Sequence, residues 1–229
     1  MNASTASRPA QRGLTLVQLM VGLAVGLGVT AATGALLGST LRDARGAQRD
    51  QRLMQDLRTA ADVVARDLRR AGHWGDAAAG VAGPGDTAVR SNPYTALSPD
   101  AAASDAASFR YSRDATENHA VDPNEQFGFR VRRGVLEMQL GNANWQALTD
   151  AGALTVTHFS VTPQAQTIDL QAQCQRPCPG GATACPPRLE VRSLALRLVA
   201  RSATAPDVVR GLSHEVRLRN DRIVGACAA

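Results

Sequence analysis

The chain has 229 residues, a length that allows one large domain or two small ones. Hydrophobic residues make up 44% and charged residues 20%, with 25 basic and 20 acidic side chains, which is ordinary for a folded protein and excludes a chain that is disordered throughout. All the basic residues are arginine, so no lysine is present for a Schiff base or a P-loop, and the aromatic content of 3% argues against a surface that stacks nucleic-acid bases.

The N-terminal part combines a short basic segment with a long uncharged one. Arg8 and Arg12 precede Gly13–Leu41, a run of 29 residues without a charge. Because about 20 apolar residues cross a bilayer as a helix, the run is long enough to span a membrane. A secretory signal peptide, with small residues near Ala31 at its cleavage site, is the alternative, but its apolar region usually has only about 7–15 residues.

The beginning of this run carries a motif. Residues 12–21 read RGLTLVQLMV, which resembles the N-terminal signal of type IV prepilins and type II secretion pseudopilins. The resemblance implies that prepilin peptidase cleaves after Gly13, that the new N-terminal amine of Leu14 is methylated, and that the uncharged run is retained as a transmembrane helix.

Two positions of the motif differ from the usual pattern of that family. Leu14 stands in place of the usual phenylalanine, and Gln18 in place of a glutamate that is thought to pair with the N-terminal ammonium of a neighbouring subunit. Glutamine can accept a hydrogen bond, but it lacks the charge that makes such a bond strong. We therefore interpret Gln18 as a filament-assembly residue that favours a place at the tip of a filament rather than in its body.

The segment after the uncharged run is predicted to continue the same helix. Its apolar residues recur at steps of three and four, the pattern of an amphipathic helix. They are Leu53, Leu57, Ala60, Ala61, Val64, Leu68 and Ala71. No proline interrupts residues 14–72, and Gly72 is suited to the C-cap. We predict a helix over residues 14–71, about 87 Å long at 1.5 Å per residue, with its second part packed on a sheet.

Residues 76–108 are rich in alanine, glycine, proline, serine and aspartate and are predicted to form a long loop. Alternating apolar and polar residues then predict strands. These are residues 108–112, 126–132, 135–140, 145–148, 154–161, 189–199 and 215–219. Arg133-Gly134 is a hairpin signal, and strands with one apolar face are typical of antiparallel sheets. The expected fold class is α+β and pilin-like, a long N-terminal helix packed on an antiparallel β-sheet.

Two further segments extend the resemblance towards the C-terminus. Val64–Gly75 is similar to the stretch that closes the long helix in PilW-type minor pilins, where His73 stands at a position that is often aromatic. We interpret His73-Trp74 as a hydrophobic anchor at the helix end. Glu215–Asn220 resembles the last strand of PilW-like domains and of J-type pseudopilins.

The resemblance implies an organisation and a role. The domains would be a leader (1–13), a transmembrane and filament-core helix (14–41), an amphipathic periplasmic helix (42–72) and a globular β-rich domain (73–229). The protein would be a non-enzymatic minor pilin that starts or caps a type IV pilus, in the inner membrane before assembly and on the cell surface afterwards. Its expected partners are other minor and major pilins, the prepilin peptidase/methylase and the inner-membrane pilus assembly machinery. A type II secretion pseudopilin and a membrane-anchored periplasmic binding or metal module are the alternatives.

Four cysteines fall near the C-terminal end of the chain. Cys174, Cys178 and Cys185 lie in a proline- and glycine-rich segment, and Cys227 follows later. Their spacing departs from the paired knuckles of structural zinc sites, so for a domain in an oxidising periplasm disulfides are favoured over a metal. Four cysteines allow three connectivities, and one loop cysteine must pair with Cys227 if both bridges lie within the chain.

The sequence shows no recognisable catalytic motif. The four histidines are scattered, and no nucleophile elbow, zinc-protease motif, P-loop or dinucleotide fingerprint is present. No catalytic residue, cofactor or metal is therefore expected. The densest basic cluster outside the helix, Arg130-Val-Arg132-Arg133, is interpreted as a solvated strand edge that arginine protects from aggregation, and DNA binding is not expected.

Overall fold

The computed structural model of the chain describes residues 15–81, 90–180 and 184–227. It divides into two compact units, Met1–Gln48 and Arg49–Ala229. The long helix α1 spans Leu16–Leu68. The described part of the first unit is residues 15–48, which are Thr15 and the part of α1 up to Gln48. The second unit, which we call the head, contains the remainder of α1 and all the strands.

The part of α1 in the head buries one face, as the sequence predicts. Every residue of the expected apolar stripe is at most 4% exposed. The helix ends at Leu68, three residues earlier than expected, because the N–H groups of Arg70 and Ala71 donate to carbonyls three residues back, at 3.0 and 3.1 Å. This is the tighter spacing of a 3₁₀ turn. Gly72 ends the turn with a φ of +75°, which glycine adopts without strain.

Two antiparallel sheets form the rest of the head. The first has five strands in chain order: β1 (Leu97–Ser98), β2 (Ala106–Arg110), β3 (Gln126–Arg132), β4 (Val135–Leu140) and β5 (Trp145–Ala147). The second contains β6 (Leu154–Asp169), β7 (Arg188–Ser202), β8 (Val209–Arg217) and β9 (Arg222–Val224). β7 pairs with β6 along one edge and with β8 and β9 along the other. Short 3₁₀ helices occupy Ala77–Gly80, Pro123–Glu125 and Gln171–Gln173.

The strand predictions are confirmed in outline, with several differences in extent. β3 and β4 have the expected bounds, and Arg133 and Gly134 both adopt positive φ between them, as a type I′ hairpin turn requires. β6 and β7 are longer than predicted, at 16 and 15 residues. The expected loop over residues 76–108 is wrong in part, since β1 lies within it and β2 begins before it ends; residues 82–89 lie outside the described residues.

The end of α1 is joined to both sheets. On the side of the first sheet, the N–H of Gly72 donates to the carbonyl of Arg110 at the end of β2 (2.8 Å). On the side of the second sheet, the N–H of Arg219 donates to the carbonyl of Arg69 (3.2 Å), and Nδ2 of Asn220 donates to the carbonyl of Ala71 (2.9 Å). Carbonyl groups left free where the helix ends are thereby satisfied.

The hydrophobic core lies between the stripe of α1 and the two sheets. Four aromatic rings, which belong to β2, to the residue that follows β2 and to β3, stack within the core. Three leucines of β7 face the same core. The rings are those of Phe109, Tyr111, Phe127 and Phe129, and the leucines are Leu194, Leu196 and Leu198. The expected fold class, a long N-terminal helix packed on antiparallel sheets, is therefore confirmed.

Candidate functional site

The first described residues show how α1 begins. The backbone N–H of Thr15 donates to Oε1 of Gln18 (3.2 Å), and the backbone N–H of Gln18 donates to Oγ1 of Thr15 (3.4 Å). This reciprocal pair is a capping box, which satisfies N–H groups that a helix start leaves free. Gln18 thus has a role within its own chain. Gly13 and Leu14, at the expected cleavage and methylation site, lie outside the described residues.

The uncharged part of α1 exposes all of its faces. Every side chain from residue 15 to residue 37 is exposed, and Leu16 and Leu36 reach 73% and 69%. Its hydroxyl groups donate to carbonyls of the helix itself, at 2.8–3.0 Å; they belong to Thr30, Thr33, Ser39 and Thr40. By length and composition α1 is suited to cross a membrane. A helix that is apolar on every side requires lipid or other apolar helices around it.

All four cysteines are joined in disulfides. Cys174 pairs with Cys227 and Cys178 with Cys185, with Cα atoms 5.3 and 5.5 Å apart. The three loop cysteines lie between β6 and β7, and Cys227 follows β9, so the first bridge ties the chain after β9 to the loop. With every sulfur oxidised, the chain has no thiolate to offer zinc.

The disulfides lie at the end of a β-ribbon. Beyond Pro163, the last six residues of β6 are all exposed, and they pair with the first six residues of β7, from Gln164↔Ser193 to Asp169↔Arg188. β9 lies on the other side of the same part of β7, where Arg222 forms an ion pair with Glu190 (2.6 Å). The two bridges therefore brace the outer end of a three-stranded ribbon.

A second organised region surrounds Tyr94, which is fully buried in the segment expected to be a loop. Its hydroxyl lies 2.9 Å from both Oε1 of Glu117 and the carbonyl of Ala120, and 3.3 Å from Oε1 of Glu125. Glu125 is itself fully buried and accepts the backbone N–H groups of Arg113 (2.7 Å) and Asp122 (2.9 Å). These contacts fold the chain between β2 and β3 around one tyrosine.

The environment shifts the pKa values of these groups. Burial, together with hydrogen bonds to Glu117 and Glu125, raises the pKa of Tyr94, so it stays a neutral donor. Burial acts to raise the pKa of Glu117 as well, but hydrogen bonds from Ser112, Tyr94 and two backbone N–H groups outweigh it, and the pKa of Glu117 is lowered. Burial and the nearby charge of Glu125 raise the pKa of Asp114.

Three of the carboxylates stand close enough to share a cation. Ligand oxygens of Asp114, Asp122 and Glu125 lie within 4.8 Å of one another, and carboxylates are the ligands that calcium prefers. However, both oxygens of Glu125 already accept hydrogen bonds from backbone N–H groups. We therefore assign the cluster to the organisation of the loop.

The remaining residues singled out in the sequence have ordinary structural surroundings. Arg130 pairs with Glu137 (2.7 Å) and lies over the ring of Trp145, 3.9 Å from its centroid, while Arg132 and Arg133 beside it are exposed. The interpretation of this cluster as a strand edge is wrong for Arg130, because β3 pairs there with β2 on one side and with β4 on the other. The exposure of Arg132 and Arg133 agrees with a solvated surface.

The expected anchor at the helix end is correct for one of its two residues. Trp74 is 6% exposed and packs edge-on against His119, with ring centroids 5.7 Å apart. His73 is exposed and contributes its backbone carbonyl, which accepts the N–H of Ser112 (2.9 Å). The anchor role expected for His73 is therefore wrong.

The fold and the exposed N-terminal helix together define a pilin-like protein. The profile of the family "Prepilin peptidase-dependent protein B" matches residues 46–218, and the chain belongs to that family. The match covers most of the head and ends at residue 218, one residue after β8. No curated protein and no solved structure is significantly similar to the chain. The membership places the chain in a type IV pilin-related family, whose members are structural proteins.

Proposed function

We propose that the chain is a PilW-like minor pilin that acts in the initiation of type IV pilus assembly. The observation that carries the proposal is the uncharged first part of α1, whose side chains are exposed on every face over residues 15–37. Such a helix needs lipid before assembly and the apolar helices of other subunits afterwards. Membership of a prepilin peptidase-dependent family supports the same role for the chain.

The proposal assigns a role to each part of the chain. Residues 1–13 form the leader, which prepilin peptidase removes by cleavage after Gly13, and Leu14 becomes the methylated N-terminus. Residues 14–41 anchor the protein in the inner membrane, with residues 42–72 and the β-rich part from 73 onward in the periplasm. Disulfides at the end of the ribbon suit that oxidising compartment.

The partners follow from the same role. Other minor pilins and the major pilin would pack against the first part of α1, and the inner-membrane assembly machinery would move the subunit into the filament. The protein would hold these contacts without catalysing a reaction, which agrees with the structural character of its family.

We infer a position at the tip of the filament from Gln18. A buried ammonium needs a partner, and a carboxylate on the adjacent subunit supplies one. Gln18 carries no charge, and its side-chain oxygen already accepts a hydrogen bond from the backbone N–H of Thr15. A subunit at the tip has no subunit above it, so its Gln18 faces no N-terminal ammonium of a neighbouring subunit that would need a negative charge.

A deletion strain of the source bacterium tests the role. Loss of surface pili on deletion, restored by the wild-type gene, is the expected result, with unchanged secretion of type II substrates. Normal piliation together with a secretion defect would instead identify a type II secretion pseudopilin. Unchanged piliation and unchanged secretion would refute both.

A further inference from the structure

The outer half of β6 is an open sheet edge. Residues 164–169 pair with β7 on one side only, and their side chains are all exposed. Within the described residues, no backbone hydrogen bond from another segment reaches the opposite side of this stretch. An open edge carries N–H and C=O groups that can template a further strand.

One hydrogen-bonded bridge shows which groups of β6 point outward. Val161 exchanges both backbone hydrogen bonds with Ser104, at 3.0 and 2.8 Å, on the side away from β7. Successive residues of an antiparallel strand direct their N–H and C=O groups to opposite edges. Counting in twos from Val161, Ala165 and Thr167 present both backbone groups outward.

A second hydrogen bond gives the same answer from the other end of the strand. The N–H of Leu170 donates to the carbonyl of Pro187 (3.0 Å), which continues the pairing with β7. Counting back in twos, Gln166 and Ile168 direct their backbone groups to β7. The two bonds therefore agree that Ala165 and Thr167 face the open side.

Between Pro163 and Asp169, the edge lacks the features that normally protect one. Gln164–Ile168 contains no charged residue and no proline, and its register with β7 has no bulge. Natural edges are usually blocked by such features. At the outer end, the bridges Cys174–Cys227 and Cys178–Cys185 hold the ribbon in place, so little conformational entropy remains to be lost when a strand is added.

We propose that this edge binds an extended segment of another subunit of the pilus assembly, which adds as a strand beside Ala165 and Thr167. The identity of the partner rests on the proposed function. Peptide backbone is the chemistry that satisfies alternating outward N–H and C=O groups, and strand addition is a recurring mode of peptide recognition.

The side chains next to the edge indicate what the added strand presents. Ile168, Leu189 and Ile223 lie side by side in register across three strands. Ile168 and Ile223, at the ends of this row, are 43% and 65% exposed. An apolar residue placed beside Ile168 extends the row and covers it, since directly opposed side chains interact.

The opposite face of the same edge leaves space for the alternate side chains. A cleft of about 480 Å³ runs beside it. Its lining includes Leu97, Asp100, Pro163, Ala165, Glu190 and Arg192. The segment that fits is therefore apolar next to Ile168 and directs every second side chain towards this polar cleft.

A second copy of the chain fits less well than a different subunit. An antiparallel pair of copies that uses both Ala165 and Thr167 of each copy can form in two registers. With Ala165 opposite Thr167, Ile168 would stand beside Gln164, and Asp169 would stand opposite Pro163, which has no N–H to donate. With Thr167 opposite Thr167, Ile168 would stand beside Gln166. Neither register places an apolar residue beside Ile168, so a different polypeptide is favoured.

Amide hydrogen exchange at single-residue resolution tests the proposal. The full-length protein is solubilised in detergent after expression alone, and after purification from cells that produce the complete pilus apparatus. In the protein alone, the amides of Ala165 and Thr167 should exchange fast and those of Gln166 and Ile168 slowly. In the assembled sample, exchange of Ala165 and Thr167 should slow by at least about tenfold.

Three variants separate strand addition from side-chain effects. Thr167→Pro removes an outward N–H but no bond to β7, as proline allows at an edge, and it should abolish the added protection. Thr167→Ala keeps the N–H and should retain the protection. Ile168→Lys, which leaves the backbone unchanged, should weaken it because a charge would face the apolar row.

Each other outcome overturns the proposal. Fast exchange of Ala165 and Thr167 in the assembled sample would show that the edge stays open. Protection of these amides in a monomeric protein expressed alone would show that another segment of the same chain covers the edge. Protection in a dimeric protein expressed alone would show that a second copy covers it. Piliation of the deletion strain is scored separately, so failure of the proposed function would not be mistaken for failure of the edge.

Discussion

The hydroxyl oxygen of Tyr94 lies 3.3 Å from Oε1 of Glu125, and both side chains are fully excluded from solvent. The two residues stand 31 positions apart, so their contact ties the segment before β2 to the 3₁₀ turn that precedes β3. The hydroxyl has a single proton, and Glu117 and the carbonyl of Ala120 also lie within hydrogen-bond distance. Tyr94 is therefore a shared donor for several acceptors.

Removing that donor should destabilise the head. We expect Tyr94→Phe to reduce the free energy of unfolding by about 1–3 kcal/mol, because buried acceptors lose their partner. The melting temperature of the solubilised protein measures the effect. Tyr111→Phe is the control, since the ring of Tyr111 is also buried and keeps its stacking on Phe127. An equal loss in both variants would contradict a special role for Tyr94.

The head should fold without the anchor. A fragment from Asp43 onward, exported to an oxidising periplasm, is expected to be soluble and monomeric, because the core belongs to the unit from Arg49 onward. Size-exclusion chromatography and far-ultraviolet circular dichroism check this. A fragment that aggregates despite export and oxidation would place the domain boundary elsewhere.

The two disulfides should contribute unequally to stability. In the chain-entropy description, a disulfide that closes a loop of 53 residues raises the free energy of unfolding by about 4 kcal/mol, and one that closes a loop of 7 residues raises it by about 2 kcal/mol. Replacing Cys174 and Cys227 by serine should therefore lower the melting temperature more than replacing Cys178 and Cys185.

Alkylation of the denatured wild-type protein is the companion measurement for the disulfides and should find no free thiol. Four free thiols with one equivalent of bound zinc would refute the disulfides and favour a metal module.

Processing of the precursor should depend on Gly13. The resemblance to prepilins implies that only a residue without a side chain suits the peptidase, so Gly13→Val should leave the precursor uncut. Mass spectrometry would find it about 1.4 kDa heavier, because 13 of the 229 residues of the 24.0 kDa chain remain attached.

Gly22→Val is the matched control for processing. It changes a glycine of the exposed helix with nothing within 4 Å, and it should be processed normally. A mature N-terminus near Ala32 in the wild type would restore the ordinary signal peptide.

The charge at position 18 should matter little if the protein sits at the tip. Glutamate can form the same capping box as glutamine, so Gln18→Glu changes the charge while keeping the start of α1. We expect unchanged numbers of surface pili and few copies of the protein in sheared, purified pili. A sharp rise in piliation with Gln18→Glu, or abundant protein along the shaft, would refute the tip position.

Periodic patterns in the sequence are sufficient to predict the main elements of the head. Leu57 and Val64 fall on one helix face because their spacing matches the helical repeat, and both are fully buried. The hairpin at Arg133-Gly134 is equally local, since a two-residue turn needs positive φ at both positions.

Other features depend on contacts that no local pattern encodes. The outer half of β6 does not alternate regularly between apolar and polar residues, so it lacks the pattern that marks a half-buried strand. β9 is only three residues long, and the choice of Cys174 as the partner of Cys227 depends on how β9 pairs with β7. Tyr94 lies in a segment whose composition indicates a loop, although its hydroxyl organises distant carboxylates.

At the candidate site, too, some features follow from a local sequence pattern and others depend on long-range pairing. The pattern Thr15-x-x-Gln18 is a recognisable capping signal, and it was available in the sequence. The open edge beside Ala165 and Thr167 was not, because the direction of each backbone group is fixed only by the pairing with β7 and the bridge to Ser104.

The attachment of the end of α1 to both sheets has a mechanical consequence. A tensile force along α1 would enter the head through the buried stripe and reach the helix end at Arg69–Gly72. There, bonds to Arg110 at the end of β2, and to Arg219 and Asn220 after β8, pass it to both sheets. Neither sheet would carry the whole load, and the buried stripe of α1 would have to slide past its neighbours before either sheet opened. The head is thereby built to withstand traction through its helix.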